Sequence, residues 1–174
     1  MSMGFLVEDE APVILRGPMI MKAVQQFSHN VNWGELDYLI IDMPPGTGDT
    51  QLSLCQTLPL TGAVMVTTPQ EVALIDVRKA AAMFKKVSVP ILGIIENMST
   101  FICPSDNSRY DIFGTGGGRR EAERIGVELL GEIPITMEIR QGGDQGTPLM
   151  VAAPDSPPGK AFAEAAKALR KRVE

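Results

Sequence analysis

The sequence is poor in cysteine, histidine and aromatic side chains. Its two cysteines, Cys55 and Cys103, cannot build a disulfide framework. With His29 as the sole histidine, zinc sites assembled from several His and Cys ligands are excluded. No apolar run approaches the ~18 residues that a membrane-spanning helix needs, so no membrane span is expected. The N-terminus carries Glu8, Asp9 and Glu10 where a secretory signal would carry bases. A cytoplasmic protein is the expectation. Basic residues are also in deficit, and a net charge of −5 has the wrong sign for non-specific nucleic-acid binding. No GxxxxGKS or GxxxxGKT string occurs, so no phosphate loop of that type is present in these 174 residues. Gly114-Thr115-Gly116 fails the GxGxxG pattern, because Arg119 stands where the third glycine belongs.

What is present suits a globular core. Hydrophobic residues make up 44% of the chain and charged residues 21%, which excludes disorder as the main state. The length fits one domain, or a large piece of one, over residues 1–174. Tyr38–Ile41, Ala63–Val66, Ile91–Ile95 and Val127–Ile133 are apolar runs of strand length without polar alternation. Such runs predict strands buried on both faces of a parallel sheet. Helical patterns separate them at Pro18–Phe27, Gln51–Leu58, Val72–Val87 and Arg119–Ile125, and a last one follows at Pro158–Val173. In Val72–Val87, Leu74, Val77, Ala81 and Phe84 share one face. The alternation predicts an α/β fold with a doubly wound, mostly parallel sheet and flanking helices.

Ligands of such sheets bind at the carboxyl ends of the strands. The first run ends in Asp42-Met43-Pro44-Pro45-Gly46-Thr47-Gly48-Asp49. Asp42 is placed to hold a magnesium-bound water, and Gly46 and Gly48 let backbone N–H groups approach a phosphate. The plain alternative is a Pro-Gly turn with a capping Asp. The second ends in Thr67-Thr68-Pro69-Gln70-Glu71, where Thr68 or Gln70 could cap the next helix. The third ends in Glu96-Asn97-Met98-Ser99. Asn97 can donate to and accept from a base edge, although Asn at a strand end is also an ordinary turn residue. Beyond it, Cys103 sits beside Pro104, either as a thiolate metal ligand or as a free structural cysteine. Gly114 to Gly118 lead into a helix whose N-terminus could bind an anion. Cys55, among leucines, reads as a small buried hydrophobe, and Trp33 as a packing residue.

These strings, in this order, resemble the Mrp/ApbC family of iron–sulfur cluster carrier ATPases. The resemblance is carried by Leu36 to Asp49, Thr68 to Leu74 and Glu96 to Ser99. Met3 to Leu6, Arg16 to Met19, Asp111 to Gly114, Gly131 to Pro134 and Ala153 to Ser156 agree with it. It implies a P-loop NTPase-like domain related to MinD and ParA, acting as a homodimer that binds Mg-ATP. Such a dimer bridges a [4Fe–4S] cluster through a CxxC pair from each subunit and passes it to recipient apoproteins. By that resemblance Asp42 belongs near the magnesium shell, and Gly46 is the switch amide that senses the γ-phosphate. Asn97 contacts adenine, and Pro134 and Ile135 close the base pocket. Cys103 is a cluster ligand, while Asp106 stands at the second cluster-cysteine position.

The family's GKGGVGKS loop would lie upstream of the matched region. The chain is therefore expected to be the C-terminal part of the domain, incomplete at its N-terminus, with ATP bound poorly and scarcely hydrolysed. With Asp106 in place of a thiolate, a labile cluster or none is expected. Two other functions compete. One is a non-catalytic regulatory or scaffold relative. The other is a MinD/ParA-like partition ATPase, for which the bases of the last helix (Lys160, Lys167, Arg170, Lys171, Arg172) are the sole candidate surface. An uncovered sheet would either self-associate or be covered by Met1 to Ile14.

Overall fold

A parallel strand persists only where neighbours take up its backbone groups on both sides. The chain meets that condition in one stretch and not in another. A computed structural model describes residues 1, 2, 5, 17–43, 46 and 48–174. It forms two compact units, Met1–Leu60 and Thr61–Glu174.

In the first unit, α1 (Gly17–His29) packs against α2 (Asp49–Thr57). Leu54 and Cys55 of α2 are buried, and burial pushes the Cys55 thiol up. Trp33 packs as expected, its indole N–H donating to the Phe27 carbonyl at 3.0 Å. The strand predicted at Tyr38–Ile41 is absent. No β-ladder among the described residues includes this run, and Ile40 is 79% exposed. Apolar character alone does not make a strand without a partner edge. Most of the segment Met1 to Ile14 lies outside the described residues, as do Pro44, Pro45 and Thr47.

The second unit runs β1 (Ala63–Thr67), α3 (Glu71–Lys86), β2 (Ile91–Ile102), β3 (Arg109–Tyr110), α4 (Gly117–Ile125), β4 (Leu129–Ile135), α5 (Met137–Asp144), α6 (Leu149–Ala152) and α7 (Pro157–Val173). Its sheet is centred on β2, which pairs in parallel with β1 on one side and β4 on the other. The short β3 adds antiparallel to the far end of β2, with Phe101 opposite Tyr110. β2 is more than twice the predicted length, because β3 and β4 satisfy its backbone beyond Asn97.

α3 buries Leu74, Val77, Ala81 and Phe84 as its periodicity requires, and Met83 as well. Neither Thr68 nor Gln70 caps it with a side chain. Lys85 and Lys86 in its last turn complement the helix dipole. α3 and α4 lie on one face of the sheet and are tied by ions. Arg78 donates to Glu71 at 2.5 Å and to the buried Glu121 at 2.8 Å, and Arg124 stands 3.6 Å from the other Glu121 oxygen. α7 lies on the opposite face. Glu132 reaches Arg119 of α4, whereas its neighbour Gly131 backs onto Ala165 of α7. α7 is capped by Ser156, whose Oγ accepts from the Gly159 N–H.

The prediction of strands buried on both faces fails at β1. Met65 and Thr67 are buried, yet Val66 between them is 61% exposed. α7 covers β4 and part of β2, and among the described residues no helix of this unit lies over β1 on that side. None of the described helices is long and apolar enough to cross a membrane.

Candidate functional site

The carboxyl ends of β1, β2 and β4 converge where the predicted chemistry lies. Glu96 is the hub. It is 1% exposed, in register with Thr67 on one side and Glu132 on the other. Its Oε2 accepts the Gly118 N–H at 2.5 Å, within the first turn of α4. The anion expected at this helix N-terminus is therefore the chain's own carboxylate. The glycines make the approach possible. A Cβ at Gly118 would press on Glu96, and one at Gly117 would lie 2.8 Å from the Pro69 Cα.

Burial holds the Glu96 carboxyl above its ordinary 4.5, against the Gly118 N–H that favours the charged form. Glu132 adds to the rise, while Arg120 and Arg119 oppose it. A carboxyl with a raised folded pKa holds its proton more tightly when folded. Its contribution to stability is greatest below the unfolded value and declines as pH rises through the folded one. Glu96→Gln keeps an acceptor for Gly118 and removes the charge. Its Tm is expected to gain on the wild type as pH rises from about 5 to about 8. Thermal unfolding at both ends of that range checks this, and a Tm difference, variant minus wild type, that falls with rising pH would contradict it.

Asn97, Pro134 and Ile135 come together on neighbouring strands. Asn97 is in register with Ile133, and Phe101 with Ile135. The Asn97 Oδ1 accepts the Met98 N–H at 2.9 Å, and its carbonyl keeps a second lone pair beyond that bond. The carboxamide therefore retains the chemistry for a base edge. Ser99 is buried and donates through Oγ to the Ile133 carbonyl at 3.1 Å.

Cys103 and Asp106 also come together, in the turn between β2 and β3. Cys103 exchanges backbone bonds with this turn, donating to the Ser108 carbonyl and accepting from the Asn107 N–H, both at 2.9 Å. Its Sγ is 3.0 Å from Ser105 Oγ. Asp106 Oδ1 accepts the Ser108 N–H at 3.0 Å. That bond, helped by the Ser108 hydroxyl and the Cys103 thiol, holds the Asp106 carboxyl below its usual range. Ile102, Tyr110 and Ile112 of the same hairpin are exposed. Among the described residues no three or more His, Cys, Asp and Glu side chains are grouped to hold a metal ion.

Asp42 and Gly46 belong to the other unit. Asp42 is exposed and outside regular structure. Gly46 has φ 99°, a value that favours glycine, three residues before α2 opens at Asp49. Sequence reasoning missed Glu96 as a buried anchor. Its signal was an acid continuing an apolar strand, followed downstream by paired glycines at a helix start.

The fold is that of the MinD/ParA class of P-loop NTPases, whose solved members it resembles. The structure superposes on a nucleotide-binding protein from Archaeoglobus fulgidus solved with ADP, with TM-score 0.70 and 39% identity, covering 84% of this chain and 56% of that one. MinD from Pyrococcus horikoshii shares the fold, with TM-score 0.65 and 24% identity over 90% of this chain and 57% of its own. The family profile of ParA-type NUBPL iron-transfer P-loop NTPases matches residues 1–170, and the chain belongs to that family. It is 53% identical over 167 residues, 96% of its length, to a mitochondrial iron–sulfur protein of Arabidopsis thaliana required for NADH dehydrogenase, of which it covers 53%. It is 51% identical to an iron–sulfur cluster carrier protein of Aquifex aeolicus, covering all of this chain and 48% of the relative. The mouse iron–sulfur cluster transfer protein NUBPL is 47% identical, with 54% of its length covered. The chain thus spans about half the length of the curated relatives it matches.

Proposed function

We propose that this chain supplies the base-contacting and cluster-binding part of an ATP-dependent iron–sulfur cluster carrier. The observation that carries the reading is that Asn97 and the Cys103 turn share one strand. β2 leads from the base position to the turn that carries the thiol, by way of the irregular stretch Met98 to Thr100. A nucleotide bound at one end would then bear mechanically on the cluster ligand at the other.

One thiolate cannot hold a cluster, so the cargo would be bound between two copies, each contributing Cys103 and, weakly, Asp106. The exposed Ile102, Tyr110 and Ile112 suit burial against a second chain in such a homodimer. Asp42 would stand near the magnesium shell of Mg-ATP, and Gly46 would offer its N–H to the γ-phosphate. Pro134 and Ile135 would flank the base beside Asn97. Mg-ATP, when bound, supplies the energy of phosphoryl transfer. The residues present orient the base and the cargo, and the sequence holds no lysine-bearing phosphate loop to stabilise the transferring charge. This chain by itself is therefore expected to release no phosphate from Mg-ATP above a protein-free blank. Recipient apoproteins are the expected partners. A cytoplasmic location is the simplest reading, although the name of the Arabidopsis relative places that protein in mitochondria.

Asp106, at the second cluster-cysteine position, favours one second reading, a regulatory relative that binds without hydrolysing. A partition ATPase is less favoured, since three of the five bases of α7 (Lys167, Arg170 and Arg172) are engaged in ion pairs. Cluster transfer separates the readings. The chain, loaded anaerobically with iron and sulfide, is mixed with an apo-ferredoxin. Appearance of holo-ferredoxin that depends on Cys103 supports the carrier. Transfer at the rate of free iron and sulfide leaves the regulatory reading.

A further inference from the structure

The register of β2 against β4 breaks between Asn97–Ile133 and Phe101–Ile135. Met98, Ser99 and Thr100 of β2 thus face the single Pro134 of β4, which makes a bulge. Proline explains its place, because it has no N–H to give the ladder. The Ser99 hydroxyl takes up the Ile133 carbonyl instead. Inside the bulge Met98 has φ 53°, a left-handed conformation that a methionine seldom adopts. This turn brings the Met98 N–H onto Asn97 Oδ1. An N–H only donates, so the atom it meets must be the carbonyl oxygen, and the sense of the carboxamide is fixed.

We propose that Met98 is a positioning residue for base recognition. Its left-handed backbone locks the Asn97 carboxamide, so that the NH2 group is the donor offered to an acceptor nitrogen of a purine ring. Sequence alone assigns Asn97 the ability to donate and accept at once. The bulge selects which group leads. Backbone strain held beside a binding group is where such selection is expected. This inference rests on the reading of Asn97 as the base contact.

The test uses the full 15N-labelled chain, ADP as the probe, and the variants Asn97→Ala, Met98→Gly and Met98→Val. Amide exchange at position 98 reads the lock, and an NMR titration reads ADP affinity. Thermal unfolding confirms that each variant folds. Glycine accepts the left-handed conformation freely, whereas a β-branched residue resists it. The expected result is slow exchange at position 98 in wild type and Met98→Gly and fast exchange in Asn97→Ala. ADP should bind Met98→Gly as it binds the wild type, and Met98→Val and Asn97→Ala about tenfold more weakly, the scale of one lost hydrogen bond. Equal exchange in wild type and Asn97→Ala overturns the proposal, as does wild-type affinity in a folded Met98→Val. If Met98→Val does not fold, the exchange comparison of wild type with Asn97→Ala still decides. Slow exchange that depends on Asn97, with no ADP bound by any form, overturns the base-contact reading and the positioning role with it, while the lock itself stands.

Discussion

Replacing Asp106 with cysteine is expected to lengthen the lifetime of an iron–sulfur cluster on this protein by on the order of tenfold or more, the scale on which even outer partners of metal ligands act. Cys103 and Asp106 flank the same turn, and the Cys103 thiol already acts on the Asp106 carboxyl. A second thiolate in place of that carboxylate would match the softness of iron–sulfur ligation, so two chains would offer four thiolates instead of two. The exchange has a structural cost. The Ser108 N–H loses the Asp106 oxygen that it meets at 3.0 Å, and a thiol is a weak acceptor. The turn keeps its backbone bonds between Cys103 and Asn107 and between Cys103 and Ser108, so the hairpin should survive. Loaded wild type, Asp106→Cys and Cys103→Ala are challenged with a chelator, and loss of visible absorbance is followed. The expected order of lifetimes is Asp106→Cys, then wild type, with Cys103→Ala retaining nothing. An Asp106→Cys cluster lost as fast as the wild-type one would show that the turn is not the cluster site.

Gly117→Ala should be among the most damaging single methyls in the second unit. Gly117 opens α4, where alanine is favoured over glycine by about 1 kcal/mol. That preference is outweighed by the fold. A Cβ here would sit 2.8 Å from the Cα of Pro69 and against its carbonyl, all of it backbone that no side-chain rotation can move aside. Overpacking of this kind costs roughly 3 kcal/mol. The helix start would have to back away from Pro69, and the Gly118 N–H would leave Glu96, which is buried. For a chain of this size that corresponds to a fall in Tm of roughly 10 °C. Gly143→Ala is the control. Gly143 lies in α5, and a Cβ there meets nothing within 4 Å. It should be neutral or stabilising by a few tenths of a kcal/mol. Equal Tm values for the two variants would remove the close packing of α4 on the Thr68–Gln70 turn as a determinant of the site.

Much of the second unit could be read from its residues. Ala63–Val66, Ile91–Ile95 and the run to Ile133 are strands because continuous apolar runs of that length suit a covered parallel sheet. α3 was legible from Leu74, Val77, Ala81 and Phe84, and α7 from its wealth of Ala, Lys and Arg. Tyr38–Ile41 carries the same signal and forms no strand, because pairing is a property of neighbours and not of the run. α5 escaped notice since Gln141-Gly142-Gly143 is poor helix sequence, and the Thr136 cap that starts it is a single hydroxyl accepting from Ile139. At the site, residue types marked Asn97 and Cys103 as candidates. Their placement on one strand was hidden, because Met98 to Ile102 has no periodicity that separates strand from loop. The left-handed Met98 was hidden as well, since no glycine marks it. Glu96 looked like a strand-end acid. Only tertiary structure shows that it fills the N-terminus of α4, where a bound anion was expected.

The most direct test of the carrier reading is native mass spectrometry of the chain after anaerobic reconstitution with iron and sulfide. The account predicts a species of two chains plus one cluster mass, absent from Cys103→Ala and lost on exposure to a chelator. Wild-type chain that emerges free of iron and sulfide, or that binds them equally with Cys103 removed, would contradict it.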